Sequence, residues 1–464
     1  MKSLNREILR LAVPSILANI TVPLVGMVDI AIAGHLHGIP SDAVPAAFIG
    51  AVSVGSLLFT VLYWNFGFLR AGTGGLTAQA YGRSKAGDAR GTDSPGLILG
   101  RGLVLAVGCS IIILLLQWPF AKLGLLLIGG TPEVSRLAGR YFFIRIWAAP
   151  ATLSLMVLRG WFIGMQDTRS SMWADLIVNG TNIAASLLLA FPLGVGFDGI
   201  ALGTVIAQYS GLAFALAVVE KRYGGQIRGL TFKACMSGTR EFFSLNADLF
   251  FRSLCFMLIY FGFSAIAARY GDMALAVASI MMNLLMLFSY FTDGFAYAGE
   301  ALTGRFMGEK DPAMLRMSVR YIFVWSMAVA FLWVAIYLLA GAPLLKLMTD
   351  DPAVRESARA FLPWLALMPP LGCAAFTWDG IYTGATSTKE MRNSMILAAI
   401  AFFGLWFAGC SVMGLAPSGN PSAPLEAGAM NLLLAAYFAH LLARTVWLSL
   451  RYRKDVLSKC PYFS

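Results

Sequence analysis

Twelve apolar runs of membrane-spanning length recur along this chain, separated by short polar breaks. They fall at 7–35, 47–80, 98–127, 137–160, 172–193, 198–219, 243–268, 274–303, 319–348, 356–384, 392–414 and 427–450. A helix needs about 20 apolar residues to cross the hydrocarbon core. The longer runs imply tilted or protruding helices. Composition agrees: 58% of the 464 residues are hydrophobic and 13% charged, against roughly 25% charged in soluble domains. Mean hydropathy is +0.72. Too little polar surface exists to cover a water-soluble core, so lipid is the solvent for much of the chain. The 47 glycines suit close helix packing in lipid, where small residues let backbones approach.

The net charge of +11 follows topology rather than nucleic-acid binding. Lys2, Arg6 and Arg10 precede the first span, and Arg83, Lys85 and Arg90 follow the second. Arg169 follows the fourth, and Lys221, Arg222, Arg228, Lys233 and Arg240 lie around the long sixth loop. Arg305, Lys310 and Arg316 follow the eighth, Lys389 and Arg392 the tenth, and Arg451, Arg453, Lys454 and Lys459 close the chain. The intervening loops are poorer in basic residues. The positive-inside rule therefore puts both termini and the even loops in the cytoplasm of a multi-pass protein of the cell (inner) membrane. The N-terminus begins like a signal peptide, but its apolar stretch continues to about Ala33, too far for a cleaved segment. It reads as the first span.

Six spans return the chain to its starting side, so the second half begins in the orientation of the first. Any repeat is parallel, about an axis along the membrane normal. One is visible: Gly160, Gly164, Thr168 and Arg169 match Gly380, Gly384, Thr388 and Lys389, and Leu76, Thr77 and Gly82 match Leu302, Thr303 and Gly308. The expected division is an N-lobe at 1–222, a cytoplasmic connection at 223–240 and a C-lobe at 241–464.

An ionisable side chain within a span is costly and marks function by default. Asp29 is the sharpest case. It lies in VPLVGMVDIAIAG with no basic residue within a helical turn, on a helix interrupted by Pro14 and Pro23. Proline removes a backbone hydrogen bond and bends a helix. In the fifth span Asp175, Asn179, Asn182 and Ser186 recur at spacings of three and four, on one face. Thr204 and Gln208 do the same in the sixth. Such groups hydrogen-bond a carboxylate, line a polar cavity or join helices. Arg70, Asp293, Glu300 and Asp379 form a set of buried charges that reads as structural ion pairing. Arg145 and Arg252 read as nearer the interfaces. Adaptable pockets use methionine and aromatic side chains, which nominates Met27, Trp64, Met281 and Met282 as substrate-cavity residues beside the polar Asp29, Asn65, Asn179 and Gln208.

No catalytic set is present. The three histidines are His35, His37 and His440, and the six cysteines form no CxxC pair. There is no P-loop, so ATP hydrolysis is not encoded here. The chain reads as a non-enzyme without a metal or cofactor.

LAVPSILANITVPLVGMVDIAIAGHLHG, with Pro14 fifteen positions before Asp29, resembles the opening of the multidrug and toxic compound extrusion (MATE) family. NFGFLRAGTGGLTAQAYG, LRGWFIGMQDTRSSMWA, TDGFAYAGEALTGRFMGE and WDGIYTGATSTKEMRNSM are similar to its DinF-like branch. The resemblance covers nearly the whole chain. It implies an all-α polytopic membrane protein with twelve helices in two parallel six-helix lobes, in a V-shaped arrangement with alternating access. It implies export of organic, often cationic amphipathic compounds against an inward flow of protons or sodium. It gives coupling roles to Asp29, Asn182 and Thr204 and a bending role to Pro14. Many relatives carry a second carboxylate where this chain has Ser186, and Asp175, further back, is the candidate replacement. Losing that acid favours the proton over sodium as coupling ion. The expected partners are small organic molecules and the bilayer, with no obligatory protein partner and a monomeric state. Alternatives are a sodium-coupled exporter of this family and a flippase for lipid-linked precursors from the wider superfamily.

Overall fold

The computed structural model describes residues 2–36, 45–87, 94–129, 131–236, 239–416 and 424–460. All regular structure among them is helical. Eleven helices or joined helix pairs are long and apolar enough to cross a membrane, or twelve if one pair bent at 54° is counted as a span. The twelve-span count is met when that pair is counted as one.

Close contacts divide the chain into two units, Val13–Asn246 and Met1–Ala12 with Ala247–Ser464. The first unit holds most of α1 (Lys2–Gly34), then α2 (Pro45–Trp64), α3 (Gly67–Lys85), α4 (Pro95–Ile128), α5 (Pro132–Arg145), α6 (Ala149–Gly164), α7 (Thr168–Ala190), α8 (Phe197–Ile227) and the short α9 (Phe232–Met236). The second holds most of α10 (Thr239–Arg269), then α11 (Asp272–Gly308), α12 (Pro312–Met348), α13 (Pro352–Arg359), α14 (Leu362–Gly384), α15 (Thr388–Met413) and α16 (Ala427–Tyr452). The first turns of α1 group with the second unit through Arg305, which reaches Glu7 at 2.6 Å, and through Trp325 Nε1, which donates to Asn5 Oδ1 at 3.1 Å. The division changes within α1, two residues before Pro14.

Both units break their fourth span. In the first, α5 passes through a 3-10 turn, Ile146–Ala148, into α6. In the second, α13 and α14 meet at 54°. Pro150 and Pro363 stand in the first turns of α6 and α14, where a missing N–H costs nothing.

The glycine repeat becomes a helix–helix seam in each unit. A Cβ added at Gly164 would sit 2.6 Å from Thr77 Cβ and 2.7 Å from the Gly74 carbonyl oxygen, and one at Gly160 would meet the Arg70 carbonyl. At the repeat positions, Gly380 faces the Ala296 carbonyl and Gly384 the Glu300 carbonyl and Gly304 N–H of α11. Only glycine permits such backbone approach. The turn after each seam also repeats. Gln166 (φ 60°) and Thr386 (φ 50°) both adopt the left-handed region. Asp167 N–H then donates to Phe162 O at 2.8 Å, and Ser387 N–H to Tyr382 O at 3.0 Å, which closes both helices in the same manner.

Candidate functional site

The polar residues considered for the first unit lie on α1, α5, α7 and α8. Asp29 is only 4% exposed, and its Oδ1 has no hydrogen-bond partner among the described residues. A buried carboxylate oxygen left unpaired is costly, and such atoms in native folds call for an explanation in function.

On α7, Asn179 Nδ2 donates to Thr21 Oγ1 of α1 at 2.7 Å. Thr21 in turn donates to Ala18 O at 2.7 Å, tying the helix that carries Asp29 to α7. One turn further, Asn182 Nδ2 donates to Thr204 Oγ1 of α8 at 2.9 Å. Thr204 passes its own hydrogen to Ile200 O at 3.3 Å, and Ser186 Oγ donates to the same carbonyl at 3.4 Å. Asn182, Ser186 and Thr204 are all buried. The seam between α7 and α8 is tight because Gly203 leaves no room: an added Cβ would lie 2.7 Å from Ser186 N. The three residues expected to flank a coupling carboxylate thus form one hydrogen-bonded set. Asn182 Oδ1 and Gln208 Oε1 remain acceptors without a donor among the described residues.

Asp175 lies outside that set. Its Oδ1 pairs with Arg159 Nη2 of α6 at 2.5 Å, so its charge is already compensated. One turn back from Asn179 the α7 surface faces α6, and this pairing argues against Asp175 as the replacement for the acid missing at Ser186.

The sequence reading missed Arg145. From sequence it reads as an interfacial charge, but the structure sets it at the end of α5 within electrostatic range of Asp29. Its Nη1 donates to Tyr141 Oη at 2.7 Å, and its guanidinium lies 4.7 Å from the Phe59 ring centroid. No ion pair within 4.0 Å joins Arg145 to Asp29. The only signal in the sequence was a charge in an otherwise apolar run, and linear spacing does not reveal which helix it faces.

The nominated cavity residues separate. Met27 is 66% exposed. Trp64 and Asn65 are half-buried at the junction of α2 and α3, where Asn65 Nδ2 donates to Val61 O at 2.8 Å. Met281 and Met282 are a correction: both are buried in the apolar core of the second unit and present no surface to a substrate. Adjacent positions on α11 are enclosed there because neighbouring helices cover both sides of it.

The buried-charge set is also redistributed. Asp379 is held by Arg252 at 2.5 Å and by Arg444, which is 1% exposed. Arg252 is therefore a partner inside the unit rather than an interfacial charge, and Arg444 was not singled out in the sequence. Glu300 is fully buried on α11. Arg70 and Asp293 belong to different units, so the four residues are not one network within either. Among the described residues no cluster has the composition of a metal site. His37 lies outside the described residues.

Comparison with known proteins gives the family of the chain. The MatE family model matches residues 14–188 and 249–410, one segment in each half. The chain is 36% identical to DNA damage-inducible protein F of Escherichia coli (strain K12) over 406 residues, which is 87% of this chain and 85% of that protein. It is 23% identical to a probable multidrug resistance protein NorM of Photorhabdus laumondii, across 87% of this chain and 86% of the relative. Among solved structures, a MATE protein in its bent conformation superposes with a TM-score of 0.82 at 17% identity, covering 98% of this chain and 97% of that one. With both halves matched by the family model and this identity running along most of its length, the chain belongs to the MatE family of multi-pass membrane transporters.

Proposed function

We propose that the protein exports organic, cationic amphipathic compounds from the cytoplasm in exchange for protons, with Asp29 as the coupling carboxylate. The observation that carries this reading is a buried carboxylate oxygen without a partner inside a membrane helix. Such a group is poised to take either a proton or a substrate cation. The names of its relatives, among them a probable multidrug resistance protein, support the substrate class.

Arg145 makes the exchange competitive. Its positive charge is permanent. With Asp29 ionised the two charges offset one another, and a cationic substrate finds a carboxylate. With Asp29 protonated, Arg145 is uncompensated and its field opposes a cation nearby. Proton entry thereby favours substrate release. Asn182, Ser186 and Thr204 orient the polar wall, and Pro14 and Pro23 weaken the hydrogen-bond ladder of α1 so that it can repack. The protein acts as a monomer with both termini on the cytoplasmic face of the inner membrane.

Sodium coupling is the second reading. The donorless acceptors Asn182 Oδ1 and Gln208 Oε1 favour it, since oxygen atoms of this kind ligate hard cations. Purified protein in liposomes, loaded with ethidium and given proton or sodium gradients separately, distinguishes the two. Efflux should follow the proton gradient and vanish in Asp29→Asn. Full efflux by that variant refutes the role of Asp29, and efflux driven by sodium at fixed pH replaces the proton reading.

A further inference from the structure

We infer that the groove between the first turns of α7 and the last turns of α8 is a binding site for an anionic glycerophospholipid. Its volume is about 740 Å³. One end is basic, with Arg169 from α7 and Lys221 and Arg222 from α8. The rest is apolar, walled by Trp173, Phe214, Ala217 and Val218.

The residue spacing gives the groove a direction. Phe214, Ala217 or Val218, and Lys221 succeed one another by about a turn on α8, so the basic end stands roughly 10 Å from Phe214 along the axis. Arg169 and Trp173 are likewise one turn apart on α7. A ligand lying along the groove meets cations at one end and hydrocarbon at the other. That is the chemistry of a phosphate headgroup continuing into an acyl chain.

The basic end is preorganised but not neutralised. Arg222 is fixed by Asp167 Oδ2 at 3.2 Å and by Ser170 Oγ at 3.1 Å. Asp167 is also occupied in capping α7 and in accepting from Tyr223 Oη at 2.9 Å. Arg169 and Lys221 are exposed and have no ion pair among the described residues. Three cations therefore stand against one carboxylate. Trp173, 54% exposed, has the amphipathic ring found where spans meet the headgroup layer. The repeat supplies a contrast. At the matching start of α15, Lys389 is followed by Glu390, which accepts from Trp447 Nε1 at 2.9 Å and pairs with Arg451 at 3.7 Å. The second unit thus sets a carboxylate paired with Arg451 at this place, where the first has Ser170 and no such acid.

The test is native mass spectrometry of the full chain released from micelles holding equal amounts of phosphatidylglycerol and phosphatidylcholine. Wild type should retain phosphatidylglycerol preferentially. The double variant Arg169→Gln/Lys221→Gln should lose that preference roughly tenfold, while Arg169→Lys keeps it. Trp173→Ala should weaken retention of both lipids. Inorganic phosphate, which lacks the acyl chain, should not displace phosphatidylglycerol. Unchanged preference in the double variant, or displacement by inorganic phosphate, overturns the proposal. None of these readouts depends on transport, so the result stands apart from the coupling role of Asp29.

Discussion

Asp29 and Arg145 hold opposite charges within electrostatic range of each other in one unit, and no direct ion pair joins them. A direct bridge would lock the carboxylate, and complete isolation would leave its charge uncompensated in hydrocarbon. The intermediate arrangement leaves Asp29 buried with Oδ1 unpaired among the described residues.

The coupling between these charges is measurable in a double-mutant cycle. Arg145→Met should lower the melting temperature in detergent, because Asp29 then has no counter-charge. Adding Asp29→Asn should recover part of the loss, since the pair is replaced by neutral groups. Strictly additive effects would separate the two residues.

Thr204→Val keeps the shape of the side chain but removes the acceptor of Asn182 Nδ2. The buried amide donor left unsatisfied should cost about 1–3 kcal/mol, and Thr204→Ser should restore most of it. Chemical denaturation in micelles reads the stability. Parallel efflux assays should show a larger loss for Thr204→Val than for Thr204→Ser.

In the second unit, Arg444→Met leaves Asp379 with Arg252 alone. Removing one member of a buried charge cluster costs roughly 3–5 kcal/mol, and the remaining arginine places the expected loss near the lower end. A thermal melt of the purified variant checks this, and a change within error would show that Arg444 contributes only bulk.

Glycine substitutions should split by location. Gly164→Ala and Gly380→Ala force backbone against backbone and should sharply reduce the monodisperse yield on size exclusion. Gly26→Ala, where an added Cβ meets nothing within 4 Å, should purify like wild type.

The spans were legible because hydrocarbon thickness imposes a length on every apolar run, and the break at Pro363 still fell inside one expected span. The parallel repeat was legible through Gly160, Gly164, Gly380 and Gly384, whose spacing one backbone-to-backbone seam demands twice. Asn182 and Thr204 were placed by resemblance, and their hydrogen bond needed the structure. Arg145, Arg444 and the pairing of Asp175 with Arg159 were not legible. Each depends on which way a helix is rotated about its axis, and in lipid the apolar residues around a charge do not encode that rotation as a hydrophobic stripe does in water. Met281 and Met282 failed for the same reason, since an apolar residue in a span can face core, cavity or lipid.

The contrast between Gly164 and Gly26 has a mechanical consequence. Where α6 meets α3 at Gly160 and Gly164, backbone atoms and the short Thr77 side chain stand face to face, with little slack to take up strain. That seam transmits force as a rigid plate. Helix α1 is fastened to α7 through a reversible side-chain bond, Thr21 to Asn179, and at Gly26 it borders open space. Of the two, α1 is the element free to shift without forcing backbone against backbone.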